Sequence, residues 1–195
     1  MLQENLKLAE NRELLDLVSQ CCTFAQEIIE DILISEQLVE EKINYTNESF
    51  DELIEECVIG FSAELKAKQI SIIKNLKLNR AIKFDKPKFK RAIYNLLSNS
   101  IKFSHKKGQI ELSTGIYQNM LRFKIKDHGI GIPEKIQDEI FDKFTRAKRI
   151  GTAGESATGL GMYLTKQIVE MHNGSIVMES DGKSGTTFHI FLNLS

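Results

Sequence analysis

The chain has 195 residues, 42% of them hydrophobic and 27% charged, with a net charge of −1. That is enough apolar material to bury the core of one domain plus an appendage, and the balanced charge leaves no electrostatic footprint for nucleic acid or for direct membrane contact. No apolar run approaches the length of a membrane span, the polar start MLQENLKLAENRE is not a signal peptide, and Cys21, Cys22 and Cys57 form no CxxC pair, so they read as small buried hydrophobes in a reducing compartment.

From Leu14, apolar or small residues recur in alternating steps of four and three at Leu14, Val18, Cys21, Ala25, Ile28, Ile32, Ser35 and Val39, and Leu15, Cys22, Ile29 and Leu33 widen the seam. Such a stripe belongs to a bundle helix. It calls for a partner helix, from a second copy of the chain through residues 14–39 or from sequence outside it; packing on the chain's own domain is the competing arrangement. The polar stretch Glu40–Ser49, with YTNES read as a loop, sets the expected boundary between residues 1–45 and 46–195.

Phe50, Leu53, Ile54, Cys57, Val58 and Phe61 predict a second helix, Asp51 to about Lys68. Ile70–Leu76 alternates as a strand and Ile82–Phe84 as a short one. Asp85 is placed to cap a helix that has Pro87 in its first turn. Gln109–Tyr117 and Met120–Lys126 form a predicted hairpin about Gln118-Asn119, followed by the loop DHGIGIP and a helical segment around Glu134–Phe141. Thr145–Thr158, poor in large apolar residues, reads as a flap. Gly159–Met171 returns to helical spacing and ends at Asn173-Gly174, and strands Ser175–Glu179 and Thr186–Leu194 close the chain.

The chemistry concentrates on Arg91–Ser104. At helical spacing, Asn95, Asn99 and Lys102 share one narrow arc, opposite Ile93, Leu96, Leu97 and Ile101. Amide oxygens are hard neutral ligands of the kind Mg²⁺ accepts, and an ammonium suits a phosphate, although a plain solvent face would look the same. Gly129–Gly131 and Gly159–Gly161 each enter a helix, where glycine admits a ligand to unpaired amides. There is no GxxxxGK[ST] and no GxGxxG after an N-terminal strand, which excludes P-loop and Rossmann sites.

NLLSNSIKFS, DHGIGIP, IFDKFTRA, TGLGMYLTKQIVEMHNG and GTTFHIFL, in that order, resemble the N, first glycine, F, second glycine and closing glycine boxes of sensor histidine kinases. These belong to the superfamily that also holds DNA gyrase and MutL. Residues 10–45 resemble the second helix of that family's dimerisation and phosphoacceptor hairpin. The expected fold is α+β: a two-layer α/β sandwich, a mixed sheet backed by three helices, preceded by one long bundle-forming helix. The resemblance implies ATP and Mg²⁺ as cofactors. Asn99 would hold the metal with Asn95 in support, Lys102 would reach the phosphates, and Phe103 would pack near the adenine. Asp127 would accept from the adenine amino group beside Gly129 and Gly131. Phe141 and Phe144 would anchor the flap, with plain core as the competing role, and Arg146 would be its phosphate-facing charge. Gly159, Leu160 and Gly161 would receive the phosphates, and Thr187 would help floor the adenine pocket.

Hydrolysing members of the superfamily place a glutamate one turn before the metal asparagine, as a general base. Here that position is Asn95, which points to phosphoryl transfer to a protein acceptor; a nucleotide-gated ATPase switch and a non-catalytic kinase-like scaffold are the alternatives. None of His105, His128, His172 and His189 stands in the His-Glu or His-Asp context of an acceptor. The acceptor is therefore expected outside this chain, which would not autophosphorylate. The partners implied are the phosphoacceptor hairpin of the parent kinase and a response regulator receiver domain, and the location implied is cytoplasmic, with a parent that is free to be membrane-anchored.

Overall fold

The computed structural model describes residues 2–40, 42–143, 151–155 and 158–194. Helix α1 (Leu2–Glu40) leads, followed by strand β1 (Thr46–Ser49) and helices α2 (Phe50–Gly60) and α3 (Ser62–Lys68). Strands β2 (Ser71–Leu76) and β3 (Ala81–Phe84), helix α4 (Lys86–Phe103) and the hairpin β4 (Gln109–Tyr117) and β5 (Met120–Asp127) come next. A single turn α5 (Glu134–Gln137), helix α6 (Gly161–Met171) and strands β6 (Ser175–Ser180) and β7 (Thr186–Asn193) complete the chain.

A five-stranded sheet runs in the order β2-β4-β5-β7-β6, parallel between β2 and β4 and antiparallel elsewhere. Alternation does the sorting: Leu121, Phe123 and Ile125 on β5 and Phe188, Ile190 and Leu192 on β7 are buried beneath α2, α4 and α6, while the residues between them stay partly exposed. Phe50, Phe84, Phe89 and Phe123 meet edge to face at 5.3–5.8 Å between the layers. This is the expected mixed sheet backed by helices. In the hairpin turn, Gln118 and Asn119 take φ of 48° and 62°, the left-handed pair that a tight hairpin needs.

Several predicted boundaries move, each for a local reason. The helix expected over 51–68 breaks at Phe61 (φ −98°, ψ 15°) because Gly60 lies against the Tyr94 ring, where a Cβ would collide, and Phe61 packs on that ring at 4.9 Å. YTNES is not all loop: Thr46–Ser49 pairs antiparallel with β3, a backbone contact that its polar side chains do not signal. The segment expected to be helical to Phe141 stops as α5 at Gln137. The flap, Thr145–Thr158, lies in part outside the described residues.

Asp85 caps α4 by accepting from the Lys88 amide at 3.1 Å and also takes the Asn44 amide at 3.0 Å. Burial pushes its carboxyl up, but these bonds and the Lys88 ammonium outweigh burial and hold it below the usual value. Its own amide donates to Nε2 of buried His172 at 3.0 Å, while Nδ1 of that ring sits 2.7 Å from the Ile168 carbonyl, so His172 is a neutral structural ring joining α4 to α6.

On α1, Leu14, Leu15, Val18, Ile29 and Leu33 are exposed, and so are Cys21 and Cys22. Only Cys57 is a buried thiol, pushed up to about 12 by burial. The last turns of α1 do pack on the sandwich: Asp31, Ser35 and Leu38 are buried, and Glu36 lies 3.2 Å from Lys143.

Candidate nucleotide site

The chemical face expected on α4 lines a cavity of about 330 Å³ that runs along the helix from Arg91 to Phe103. Asn95, Asn99 and Lys102 all border it. At one end lie Asp127, Gly131, Thr186 and an apolar slot of Ile132, Ile136, Ile140, Met162 and Phe188. At the other lie Arg91, Tyr94 and, from α1, Asp31, which is paired with Arg91 and accepts from the Thr158 hydroxyl at 2.9 Å. A flat base fits the apolar end, and the polar groups follow along α4.

Asp127 is the unusual residue of the set. It continues the inward alternation of Leu121, Phe123 and Ile125 and is only 3% exposed, so a carboxylate stands at a core position. Its Oδ1 accepts from the amides of Gly129 at 3.0 Å and Thr186 at 3.2 Å, which fixes the group at the cavity end.

The glycines divide. Gly131 borders the cavity at φ +63°, a conformation open to glycine, and a Cβ there would stand 2.7 Å from the Lys183 amide nitrogen. Gly129 does not border it: a Cβ would strike the Phe103 carbonyl, so that glycine lets the loop pass the end of α4. Gly159 and Gly161 both line the cavity at the start of α6. Leu160 between them is fully buried and takes part through its backbone alone, its carbonyl receiving the Leu164 amide at 2.9 Å. Among the described residues no side chain caps α6, whose first-turn amides and positive dipole end stand beside the cavity.

Asn95 donates through Nδ2 to the Gly161 carbonyl at 3.0 Å, joining the asparagine helix to that N-terminus and keeping its Oδ1 as an acceptor. Thr187 is not a floor residue. Strand parity puts it opposite Lys126 and Glu179 on the outer sheet face, whereas Thr186, in phase with Phe188, lines the cavity. The Phe141 ring packs edge-on to Phe188 at 6.4 Å, a core role. Phe144 and Arg146 lie outside the described residues. Sequence reasoning missed Thr186, Ile132, Ile136 and Ile140; parity counted back from Phe188 finds the first, and the helical spacing of Ile132, Ile136 and Ile140 finds the others.

No histidine lines the cavity among the described residues. His105 is exposed in a turn, His128 bonds Glu111 at 2.8 Å, and His189 stacks on Phe191. No group of three or more His, Cys, Asp or Glu that could cage a metal occurs among the described residues.

A mixed sheet under helices, with a base slot, a buried carboxylate and an uncapped helix N-terminus on one cavity, defines a nucleotide-binding α/β sandwich. The chain belongs to the histidine kinase-, DNA gyrase B- and HSP90-like ATPase family, whose model matches residues 84–195. Among curated relatives, the circadian input-output histidine kinase CikA of Synechococcus elongatus is 31% identical over 171 residues, covering 85% of this chain and 23% of CikA. The chain thus spans about a quarter of that relative's length. Among the solved structures that share the fold, full-length ShkA in complex with AMPPNP has a TM-score of 0.75 at 18% identity over 87% of this chain and 35% of its own. ThkA in complex with the response regulator protein TrrA has a TM-score of 0.74 at 20% identity, over 92% and 50%. No helix among the described residues is long and apolar enough to cross a membrane.

Proposed function

We propose that this chain is the ATP-binding catalytic module of a two-component sensor histidine kinase, passing the γ-phosphoryl of Mg-ATP to a histidine outside the chain. The observation that carries the reading is Asn95. It occupies the turn before Asn99, where a hydrolase would hold a carboxylate base, and it is engaged as a donor to Gly161. A neutral amide there takes no proton from water, so the site favours positioning ATP for another acceptor. Asp127 reads the adenine amino group with Thr186, Phe188 and Phe103 around the ring. Lys102 and the start of α6 (Gly159–Gly161) receive the phosphates, and Arg146 adds charge from the flap.

The donor set fits magnesium. A cavity without a carboxylate cage among the described residues, but with Asn99 and Asn95 on one helix face, suits an ion that keeps waters and borrows phosphate oxygens. Bound there, Mg²⁺ would neutralise phosphate charge, with Asn99 as ligand and Asn95 in support. The proposed domain division is 1–45 and 46–195, with the last turns of α1 packed on the sandwich. The ThkA–TrrA complex supports a response regulator as partner; the phosphoacceptor hairpin and the cytoplasmic location are what the resemblance of the motifs implies. A homodimer through residues 14–39 draws support from the exposed Leu14, Leu15, Val18, Ile29 and Leu33, while Ser35 of the same seam is buried on the sandwich.

The test mixes γ-labelled Mg-ATP with this chain and a separately prepared acceptor hairpin. Acid-labile label appears on the hairpin and falls at least about tenfold with Asn99→Ala. Equal labelling by the variant removes the metal role, and label released instead as phosphate in an Asn95-dependent way makes the chain an ATPase.

A further inference from the structure

Lys68, the last residue of α3, belongs to none of the motifs, yet its side chain is only 12% exposed and its ammonium joins three segments. Nζ lies 2.8 Å from the Ile101 carbonyl and 2.9 Å from the Lys102 carbonyl at the end of α4. It also lies 3.0 Å from the Thr152 hydroxyl and 2.5 Å from Oε1 of Glu155. The final four carbonyls of α4 are thereby all taken: Ser100 by the Ser104 amide, Ile101 and Lys102 by Lys68, and Phe103 by the Ile130 amide. A cation also complements the negative end of the helix.

The segment Gly151–Glu155, part of the flap stretch Thr145–Thr158, is held to the rest of the molecule at this same point. The Thr152 amide donates to the Lys102 carbonyl at 2.9 Å and its hydroxyl to the Ser104 carbonyl at 2.6 Å. Glu155 folds the segment back on itself by taking the Ala153 amide at 2.9 Å. Burial pushes the Glu155 carboxyl up, but the bonds from Lys68 and the Ala153 amide outweigh burial and lower it, so it faces Lys68 as an anion.

We infer that Lys68 is a positioning residue for the phosphates of the bound nucleotide. Its ammonium fixes the turn of α4 that carries Lys102 and, through Glu155 and Thr152, fastens Gly151–Glu155 to that turn. The inference rests on the nucleotide reading of the cavity. A helix cap without this role would stabilise the fold and treat all ligands alike. A positioning clip acts through Lys102 on the phosphate end of the ligand, while the base end is held separately, by the bonds of Asp127 to Gly129 and Thr186 and of the Phe103 carbonyl to the Ile130 amide.

The test titrates Mg-AMPPNP and adenosine separately into the full chain and into Lys68→Met, Glu155→Gln and Lys68→Arg, with urea unfolding of each. The expected result is a loss of about tenfold in AMPPNP affinity with Lys68→Met, adenosine affinity unchanged. Glu155→Gln, which leaves both helix-end bonds in place, lowers AMPPNP affinity in the same direction, and Lys68→Arg restores most of it. Equal losses for both ligands, or none for either, overturn the clip while the nucleotide site stands. An unmutated chain that binds neither ligand overturns the site and the clip together.

Discussion

Asp127 is the residue on which the proposed nucleotide reading turns: a buried carboxylate that borders the cavity. A carboxylate at a core position of β5 has a desolvation cost that backbone amides help offset, and under the proposed reading it is also the acceptor for the adenine amino group. Asp127→Asn replaces a charged acceptor with an amide that places donors where the adenine amino group would be. Affinity for adenine nucleotides should fall about 10- to 100-fold, the worth of a charge-assisted bond, and the preference for adenine over guanine should vanish in competition titrations. Gly131 makes a stability prediction at the same scale. Gly131→Ala forces a side chain into left-handed backbone against the Lys183 amide, and urea unfolding should show a loss of about 1–3 kcal/mol. Asn95, Asn99, Lys102 and Asp127 were legible as cavity residues because polar groups on a helix face or at a loop mouth stand out against an apolar pattern. Thr186 and Thr187 are chemically identical neighbours, and only the parity of β7 separates them. Gly129 was legible as a glycine, but its reason, the Phe103 carbonyl across the loop, is a contact between distant parts of the chain.

At the scale of elements, periodicity and capping fixed most of the architecture. Asp85, Pro87 and the apolar face predict α4, and its Asp85 cap extends through His172 to α6. That link carries a pH prediction. Burial lowers the pKa of His172, against smaller upward contributions from the Ile168 carbonyl and Asp85 and a further lowering by Lys88. Below the ordinary value of 6.5, the unfolded chain therefore takes up the proton before the folded one. Stability is full above 6.5 and declines as the pH falls toward the depressed value. Urea midpoints across that window should show the decline, and His172→Asn should flatten it. The break between α2 and α3 was not legible, because Gly60 and Phe61 answer to Tyr94, which lies on another helix. Strand β1 was hidden for a similar reason: pairing through backbone leaves no trace in polar side chains.

The whole molecule is a nucleotide sandwich with a long helix on which one stretch is committed and another is not. The end of α1 is tied in through Asp31, Ser35 and Leu38, and Asp31 reaches the cavity itself. Upstream, Leu14, Leu15, Val18 and Ile29 stand in water, and so does Leu33, between the buried Asp31 and Ser35. That much apolar side chain on one helix favours a helical partner, and the chain should sediment as a dimer that Leu15→Glu with Val18→Glu returns to monomer without changing nucleotide affinity. The heptad predicts a partner surface; where α1 turns toward its own domain depends on Arg91 and Thr158, far along the sequence.

The most direct test is calorimetric titration of AMPPNP into the chain with and without Mg²⁺, beside Asn99→Ala. The unmutated chain should bind with an affinity that magnesium raises at least about tenfold, and Asn99→Ala should bind equally weakly in either buffer. An unmutated chain that takes up no AMPPNP at millimolar concentration, or a variant that keeps the full response to magnesium, would contradict the assignment of this cavity.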